Sequence, residues 1–311
     1  MARKWTRYPK RTFYAFIAPW VLGFLLLTLV PMVYGFIVSL TNFDGSSPLW
    51  KWVGLRNYIE LFSDGDAWAS LLKTVLFTVI FVPLSVGGSL GLAVIINRRL
   101  RAVGVWRTVF FLPSVVPVVA MAILWKLVFN KDSGILNAIL GIVGISKIGW
   151  LQDPTAFYAL IILMLWGLGG GMIIMLAALQ GVPVELEEAA RIDGAGPWRV
   201  FWNITVPMIS PVVFFSGITG AIGALQIMVQ PLLLTNSSGI AAVGSVPDSN
   251  RLYMVQVYQE FFLNNRFGYG SAMLWVFFLV ILALTLLMLR TTRGLVYYEV
   301  DADAEKEGAV R

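Results

Sequence analysis

The 311-residue chain is 58% hydrophobic and only 13% charged, with a mean hydropathy of +0.79 and a net charge of +6. A soluble domain is about 45 to 50% apolar and about 25% charged, so the composition excludes an ordinary soluble domain and indicates one integral membrane domain. The chain has no cysteine and no histidine, which excludes a disulfide framework and removes the commonest metal ligands. The basic residues stand in short clusters beside apolar runs, which is typical of membrane topology and not of nucleic-acid binding.

Six apolar windows are long enough to cross a hydrocarbon layer of about 30 Å, which takes about 20 helical residues. The windows lie between Arg11 and Asp44, between Lys73 and Arg98, from after Arg107 to about Phe129, from Pro154 to about Gln180, from about Thr205 to Leu234, and from Phe267 to Leu289. Lys126 interrupts the third window, and its side chain is expected to snorkel to the interface. The sequence therefore predicts an all-α integral membrane protein with six transmembrane helices.

The basic residues also predict the orientation of these helices. Most lysines and arginines flank the helix ends on the side of the N-terminus, so the positive-inside rule places both termini in the cytoplasm. The chain then divides into a basic cytoplasmic segment (1–12), a membrane domain (13–290) and a cytoplasmic tail (291–311). The first apolar run is too long for the h-region of a signal peptide and lacks a small-residue cleavage site, so we interpret it as a span.

Three segments lie on the external side in this orientation: Asn42 to Ala67, Asn130 to Asp153 and Thr235 to Arg266. The aromatic residues of the last segment predict an interfacial helix there. Asp64 and Asp66 are the closest candidates for the acidic motif of a membrane-embedded enzyme, and we interpret them as solvated residues of a turn-like stretch.

The apolar windows contain no source of energy for transport. All 17 acidic residues lie outside them, whereas an ion-coupled carrier keeps ionisable groups near the bilayer midplane. No Gly-Lys-Ser/Thr triplet of a phosphate-binding loop occurs. These observations disfavour an ion-coupled secondary carrier and a membrane-embedded enzyme, and they predict no catalytic residue, cofactor or metal site in this chain. Uphill movement of a solute would have to draw its free energy from another protein.

The loop between the fourth and fifth windows (183–207) has the pattern of a helical hairpin on the cytoplasmic side. A short helix is expected to begin at Pro183, with three glutamates near its N-terminus, where the helix dipole favours carboxylates. Gly194 and Gly196 interrupt this helix, and Pro197 can begin a second one.

The charge of the hairpin is unusual for its side of the membrane. From Glu185 to Asp193 it carries four acidic residues and one basic residue, although the positive-inside rule favours Lys and Arg there. The residues alone leave two interpretations open, a docking surface for another protein and a solvated hairpin with no partner.

The hairpin also carries a known signature. Glu188-Ala189-Ala190, Gly194, Ile204 and Pro207 resemble the EAA signature of binding-protein-dependent ABC importer permeases, with Val206 in place of a leucine. Further stretches are similar to the maltose-type carbohydrate subfamily, namely 53–58, 107–113, 134–137, 150–153, 176–180 and 268–272.

This resemblance implies the type I ABC importer permease fold in a bacterial or archaeal cytoplasmic membrane, with a sugar or oligosaccharide as cargo. Importers of a glycerol phosphate or another polar solute are the alternative within the class. The implied partners are a second permease, two copies of an ABC ATPase that bind ATP and Mg²⁺, and an extracytoplasmic solute-binding protein. The implied ATPase-coupling residues are Glu187, Glu188, Ala189, Ala190, Asp193, Gly194, Ile204 and Pro207.

Two of these residue types have a physical role that can be stated in advance. The small side chains of Ala189 and Ala190 would let the helix seat closely in a groove of the ATPase. Gly194 is expected to adopt a backbone conformation with φ > 0, which glycine accepts without steric cost.

Small and polar residues of the fourth and fifth windows are the candidates for the cargo path by the same resemblance. They are Trp166, Gly167, Gly170, Gly220, Gly223, Gln226, Ile227 and Gln230. Small residues at such spacing also serve as helix-packing contacts inside membranes, so both interpretations stay open. No Lys or Arg lies in this set, which disfavours a phosphorylated cargo. The external stretch 236–250 departs from the subfamily pattern, with Asn236-Ser237-Ser238-Gly239 where a Gly-Gly-Pro turn is expected.

Overall fold

The computed structural model describes residues 10–98, 101–235, 237 and 241–292, and this part of the chain is helical with one isolated β-bridge between Thr41 and Trp52. Residues 1–9 of the basic segment, 293–311 of the tail, and residues 236 and 238–240 of the divergent external loop lie outside the described residues. The helices are α1 Lys10–Phe24, α2 Val30–Ser39, α3 Arg56–Ser63, α4 Gly65–Asn97, α5 Val103–Val115, α6 Val118–Val128, α7 Ile135–Ile142, α8 Ala156–Leu165, α9 Gly169–Gln180, α10 Val184–Ile192, α11 Pro197–Val200, α12 Val206–Leu225, α13 Val229–Leu233, α14 Ala241–Gly244, α15 Tyr253–Phe262 and α16 Phe267–Thr292.

Four continuous helical segments are long and apolar enough to cross a membrane, and two bent helix pairs raise the number to six if each pair is one span. The continuous segments are Arg11–Ser39, Gly65–Asn97, Pro197–Leu225 and Phe267–Thr291. The bent pairs are α5 with α6 and α8 with α9. The six predicted windows therefore all correspond to apolar helical structure, but not to six straight helices.

The third window is not one straight helix, because α5 and α6 meet at an angle of 99°. Val116 at the break is extended, with ψ of 128°, and Pro117 forms the N-cap of α6. A proline restricts the residue before it to extended conformations and cannot donate a backbone hydrogen bond. The Val116-Pro117 dipeptide thus ends α5.

The fourth and fifth windows also differ from their predictions. The helix pair of the fourth window bends by 46° around Trp166 to Leu168. The fifth helix ends at Leu225 instead of Leu234, and Met228, with φ of −139°, precedes the short helix α13. Hydrophobicity alone could not locate these breaks, since the apolar character continues across them.

Two π turns lie within continuous spans, and each ends two residues before a proline. Leu25–Leu29 comes before Pro31, and Phe201–Thr205 comes before Pro207. A proline ring in a regular α-helix clashes with the carbonyl four residues earlier, and the wider π turn relieves such a clash by a local adjustment. The helices therefore continue through their prolines.

The described chain divides into two compact units, one formed by residues up to Asp64 with Val257–Phe278, the other by Gly65–Gln256 with residues from Leu279 onward. In the second unit α4 packs against α9 and α12, and α5 packs against α9. One apolar cluster of this unit is centred on buried Phe77, Leu160 and Leu163, and another on Met172, Met175 and Ile209.

Polar contacts hold the first unit together. Buried Asn57 donates hydrogen bonds to the carbonyl oxygens of Ser39 and Thr41, both at 2.8 Å. Asp64 accepts a hydrogen bond from Tyr269, so its interpretation as a solvated turn residue is wrong. Asp66 is exposed in the first turn of α4, as expected of a solvated acid.

Arg266 joins two glutamates of this unit. It pairs with Glu60 and lies 3.5 Å from Glu260, and its guanidinium stacks over the ring of Tyr269 at 4.2 Å. Burial raises the pKa of the Glu260 carboxyl, and the nearby Arg266 charge and a hydrogen bond from Asn264 oppose that shift. A buried acid is tolerated here because a cation and an amide face it.

Two further predictions concern the membrane interface. The predicted external helix is present as α15, with one face buried through Tyr253, Val257 and Glu260 and with Phe262 exposed at its end. Its position at a membrane interface stays a prediction. The ammonium group of Lys126 donates to the carbonyl oxygen of Thr235, just after α13, and the residue is partly buried. Thr235 begins the predicted external segment, and the snorkelling of Lys126 to the interface stays a prediction.

Candidate functional site

The hairpin predicted for 183–207 is present, and its turn is built around Gly194. Helix α10 follows Pro183 at its N-cap and ends at Ile192. The amide of Ala195 donates to the carbonyl of Ala190 at 2.9 Å, and that of Gly194 to Arg191 at 3.1 Å. This pair of bonds is the Schellman motif, which places its C′ residue in the left-handed region. The φ of Gly194 is +82°, so the predicted positive φ is confirmed.

The second arm of the hairpin is the beginning of a membrane span. Pro197 is at the first position of α11, which continues through the π turn into α12, so that one helical segment runs from Pro197 to Leu225. Ile204 lies in the π turn and Pro207 in the first turn of α12. Two predicted coupling residues thus belong to the span, and not to the exposed turn.

Glu187 ties the first arm to this span. One carboxylate oxygen accepts a hydrogen bond from the buried Thr205 hydroxyl at 3.1 Å, and the other lies 3.5 Å from the Arg191 guanidinium. The Glu187 side chain therefore links the two arms of the hairpin. In contrast, Glu188, Ala189, Asp193 and Gly194 are exposed, and Ala190 is half-buried. Thr205 was missed by sequence reasoning, although a hydroxyl within the signature stretch was a visible signal.

The outer face of the hairpin is apolar and acidic at once. Ile192 is 87% exposed, and Val184 and Leu186 are exposed beside Glu185 and Glu188. Within the described chain this surface is uncovered. Clustered exposed apolar side chains are typical of interaction sites, which favours the docking interpretation over a solvated hairpin.

Five of the eight predicted cargo-path residues come together around one cavity of about 460 Å³. They are Gly220, Gly223, Gln226, Ile227 and Gln230. A Cβ atom added at Gly223 would meet no atom within 4 Å, and one at Gly220 would lie 3.7 Å from Val82. Gln226 donates to the carbonyl of Ile222 at 3.1 Å. Gly223 therefore faces open space, whereas Gly220 lines the cavity and also makes an ordinary van der Waals contact with Val82.

The three predicted residues of the fourth window do not line that cavity. Trp166 packs edge-to-face on Trp125, with ring centroids 5.9 Å apart. A Cβ at Gly170 would lie 3.6 Å from Ser114, and one at Gly167 would lie 3.5 Å from the carbonyl of Met164. Cavity lining therefore describes the five predicted residues of the fifth window and not the three of the fourth.

A second cavity of about 240 Å³ adjoins the first, because Gly220 lines both. Its polar lining consists of hydroxyl groups from α4 and α12, contributed by Ser85, Ser89, Ser216 and Thr219. Sequence reasoning missed these four residues, although hydroxyls within apolar windows are a recognisable signal. No charged residue of the described chain lines either cavity.

The described part of the divergent external loop is held by Asp153. Its carboxylate accepts hydrogen bonds from the amides of Asp248 and Ser249, both at 2.8 Å, and Lys73 pairs with Asp248 at 2.7 Å. Partial burial acts to raise the pKa of Asp153, but the hydrogen bonds from Ser249 and Asp248 and the charge of Lys73 outweigh it and hold the pKa below its ordinary value.

The chain matches known proteins over most of its length. Residues 84–296 match the model of the family described as binding-protein-dependent transport system inner membrane component. The probable ABC transporter permease protein YesP of Bacillus subtilis is 37% identical over 291 residues, covering 92% of each chain. The trehalose/maltose transport system permease protein MalF of Thermococcus litoralis is 33% identical, covering 90% of this chain and 93% of that one.

A solved structure shows the same fold. A chain of a bacterial alginate ABC transporter, in complex with an alginate pentasaccharide-bound periplasmic protein, matches with a TM-score of 0.79 at 19% identity, covering 94% of this chain and 97% of that one. The predicted all-α, type I importer permease fold is thereby confirmed. The relatives of this chain are permease subunits of ABC transporters, and the protein is a membrane component of such a transporter. It belongs to the family of binding-protein-dependent transport system inner membrane components.

Proposed function

We propose that this chain is the permease subunit of an ATP-driven importer, and that its hairpin receives the work of ATP hydrolysis from partner ATPases. The observation that carries the proposal is the continuity of Pro197–Leu225. The same 29-residue segment forms the second arm of the exposed hairpin and places Gly220 and Gly223 at the cavities. A displacement of the hairpin would thus be passed directly to the cavity wall. Two sites joined by one rigid element is the physical requirement for such coupling.

The proposed cargo is a sugar or oligosaccharide. Two relatives support this assignment by their names, one a trehalose/maltose system permease and the other part of an alginate transporter. The cavities offer amide and hydroxyl groups without charge, which suits hydrogen bonding to sugar hydroxyls. A glycerol phosphate is the alternative, and the absence of Lys and Arg from both cavity linings in the described chain weighs against it.

The proposed assembly has four kinds of chain. This permease pairs with a second, homologous permease, two ATPase subunits that bind ATP and Mg²⁺, and an external solute-binding protein that delivers the cargo. The chain has no ATPase site of its own in this proposal. Its hairpin and both termini face the cytoplasm of a bacterial or archaeal cell.

Reconstitution tests the proposal. The complete complex with its binding protein is placed in proteoliposomes and supplied with labelled maltose, trehalose, alginate oligosaccharides or glycerol 3-phosphate. We expect ATP-dependent accumulation of a saccharide and none in vesicles that contain this chain alone. Accumulation by the isolated chain would contradict the energy source, and transport of glycerol 3-phosphate alone would contradict the cargo assignment.

A further inference from the structure

A separate cavity of about 460 Å³ lies beside the hairpin, within the unit that contains α4, α9 and α10. The ends of α4 and α9 form part of its wall, and α10, α11 and the π turn form the rest. Its volume falls in the range of about 300 to 1,000 Å³ that is usual for ligand sites. Neither the cargo cavities nor the exposed face of the hairpin accounts for it.

This cavity lies where two spanning helices leave the apolar layer. Asn97 is the last residue of α4, and Pro197 is the first residue of the fifth span, and both line the cavity. Trp198, also in the lining, is 74% exposed, and Trp202 follows one turn later at 49%. Exposed tryptophans at the end of a span are typical of the headgroup level of a bilayer.

The lining has an apolar part and a charged part in which two cations outnumber one acid. Val94, Leu179 and Phe201 belong to the apolar part. Arg98 and Arg191 supply two guanidinium groups, and the acid is Glu187, which pairs with Arg191. An amphiphile with an anionic head presents the complementary division. A small soluble anion would leave the apolar wall unused.

The side chain of Arg98 is exposed and has no hydrogen-bond or ion-pair partner among the described residues. Arg191 is paired with Glu187, but at 3.5 Å and with 62% of its own side chain exposed. A partially exposed pair of this kind is weak, so Arg191 can turn toward a second acceptor. A planar guanidinium binds a phosphate through two parallel hydrogen bonds, so Arg98 and Arg191 in one lining supply the donors that a phosphate needs.

We propose that this cavity binds the headgroup of an anionic phospholipid, with its phosphate held by Arg98 and Arg191 and its acyl chains leaving past the apolar wall. Basic pockets between spanning helices are known to hold such headgroups. Since Arg191 also pairs with Glu187, a bound lipid would compete with Glu187 for the Arg191 guanidinium and would change a contact of the hairpin. That consequence for coupling rests on the proposed function, whereas the binding itself does not.

Native mass spectrometry of the full-length purified chain tests the binding without any transport assay. The chain is delipidated and titrated with phosphatidylglycerol, with phosphatidylcholine as the zwitterionic comparison. One basic residue near an anionic headgroup changes affinity about fivefold, so Arg98→Gln should weaken phosphatidylglycerol binding by about that factor. Arg98→Lys keeps the charge and should retain most of the affinity.

The matched control is Arg56→Gln, which removes an exposed arginine that lines a different cavity in the other unit. It should bind phosphatidylglycerol as the unaltered chain does. If Arg98→Gln is not recovered folded, Arg191→Gln is measured in the same way. The proposal would be overturned if Arg98→Gln and Arg98→Lys bound phosphatidylglycerol with equal affinity, or if the unaltered chain bound phosphatidylcholine as tightly as phosphatidylglycerol. Displacement of the bound lipid by millimolar inorganic phosphate would also overturn it.

Discussion

The turn of the hairpin offers a sharp test, because Gly194 has a positive φ and free space around it. Its φ is +82°, and a Cβ atom added there would meet no atom within 4 Å. The whole cost of a substitution is therefore backbone strain, about 1 to 2 kcal/mol for a residue with a Cβ atom. A cost of that size changes the population of the native turn about 5- to 30-fold. Asparagine tolerates the left-handed region best among the other residues.

Three substitutions at Gly194 should raise the backbone strain in increasing order. We expect Gly194→Asn to retain most transport-linked ATPase stimulation, Gly194→Ala to lose much of it, and Gly194→Val to abolish it, because a β-branched residue is least tolerant of positive φ. All three should insert into the membrane normally. The control is Gly196→Ala, since Gly196 has equal free space but a φ of −69°.

The measurement is the ATPase rate of the purified complex with and without loaded binding protein, alongside the amount of inserted permease. Gly196→Ala should behave as the unaltered protein. If Gly194→Val is stimulated normally, or if the alanine variants at the two positions are equally impaired, the link between this turn and coupling is refuted.

Three further outcomes are expected. Gly223→Leu should lower transport about tenfold or more, equivalent to about 1.4 kcal/mol on the barrier, because the leucine side chain fills the cavity proposed for the cargo. Gly217 lines neither of the two described cavities, so Gly217→Leu should be tolerated in the same uptake assay. Because the pKa of Asp153 is lowered, its carboxylate stabilises the fold above the ordinary pKa of 3.8, and this stabilisation is lost as the pH falls through the pKa of the folded state. The unfolding temperature of Asp153→Asn should not show this loss at acid pH. The same pH dependence of the unfolding temperature in the variant and the unaltered protein would contradict the assignment. Asn57→Ala leaves two buried carbonyls unpaired and should cost about 1 to 3 kcal/mol, seen as a lower unfolding temperature with uptake measured separately.

The hairpin was predictable from the sequence because its determinants are local. Pro183 and Pro197 begin helices, and Gly194 ends one, through backbone preferences that act within a few residues. The contact made by Glu187 was not predictable from such local preferences. Its partner Thr205 is 18 residues away and meets it only because the two arms of the hairpin fold back on each other.

The packing roles of the glycines show the same division. Sequence spacing left Gly170 and Gly223 equivalent, since both are small residues within apolar windows. The structure separates them by what lies beside each Cα atom, Ser114 in one case and open space in the other. Such neighbours come from other helices, and no local pattern records them.

The sequence by itself determined that this is a membrane protein, how many apolar windows it has, and that a hairpin turns at a glycine with positive φ. Hydrophobicity and backbone preference are properties of short segments, so they can be read without the tertiary structure. Only the tertiary structure decided where the third and fifth windows break, which glycines face a cavity, and that Asp64 and Lys126 have partners within the protein. These features depend on groups brought together from distant parts of the chain, and the free energy of such contacts exists only once the helices have packed.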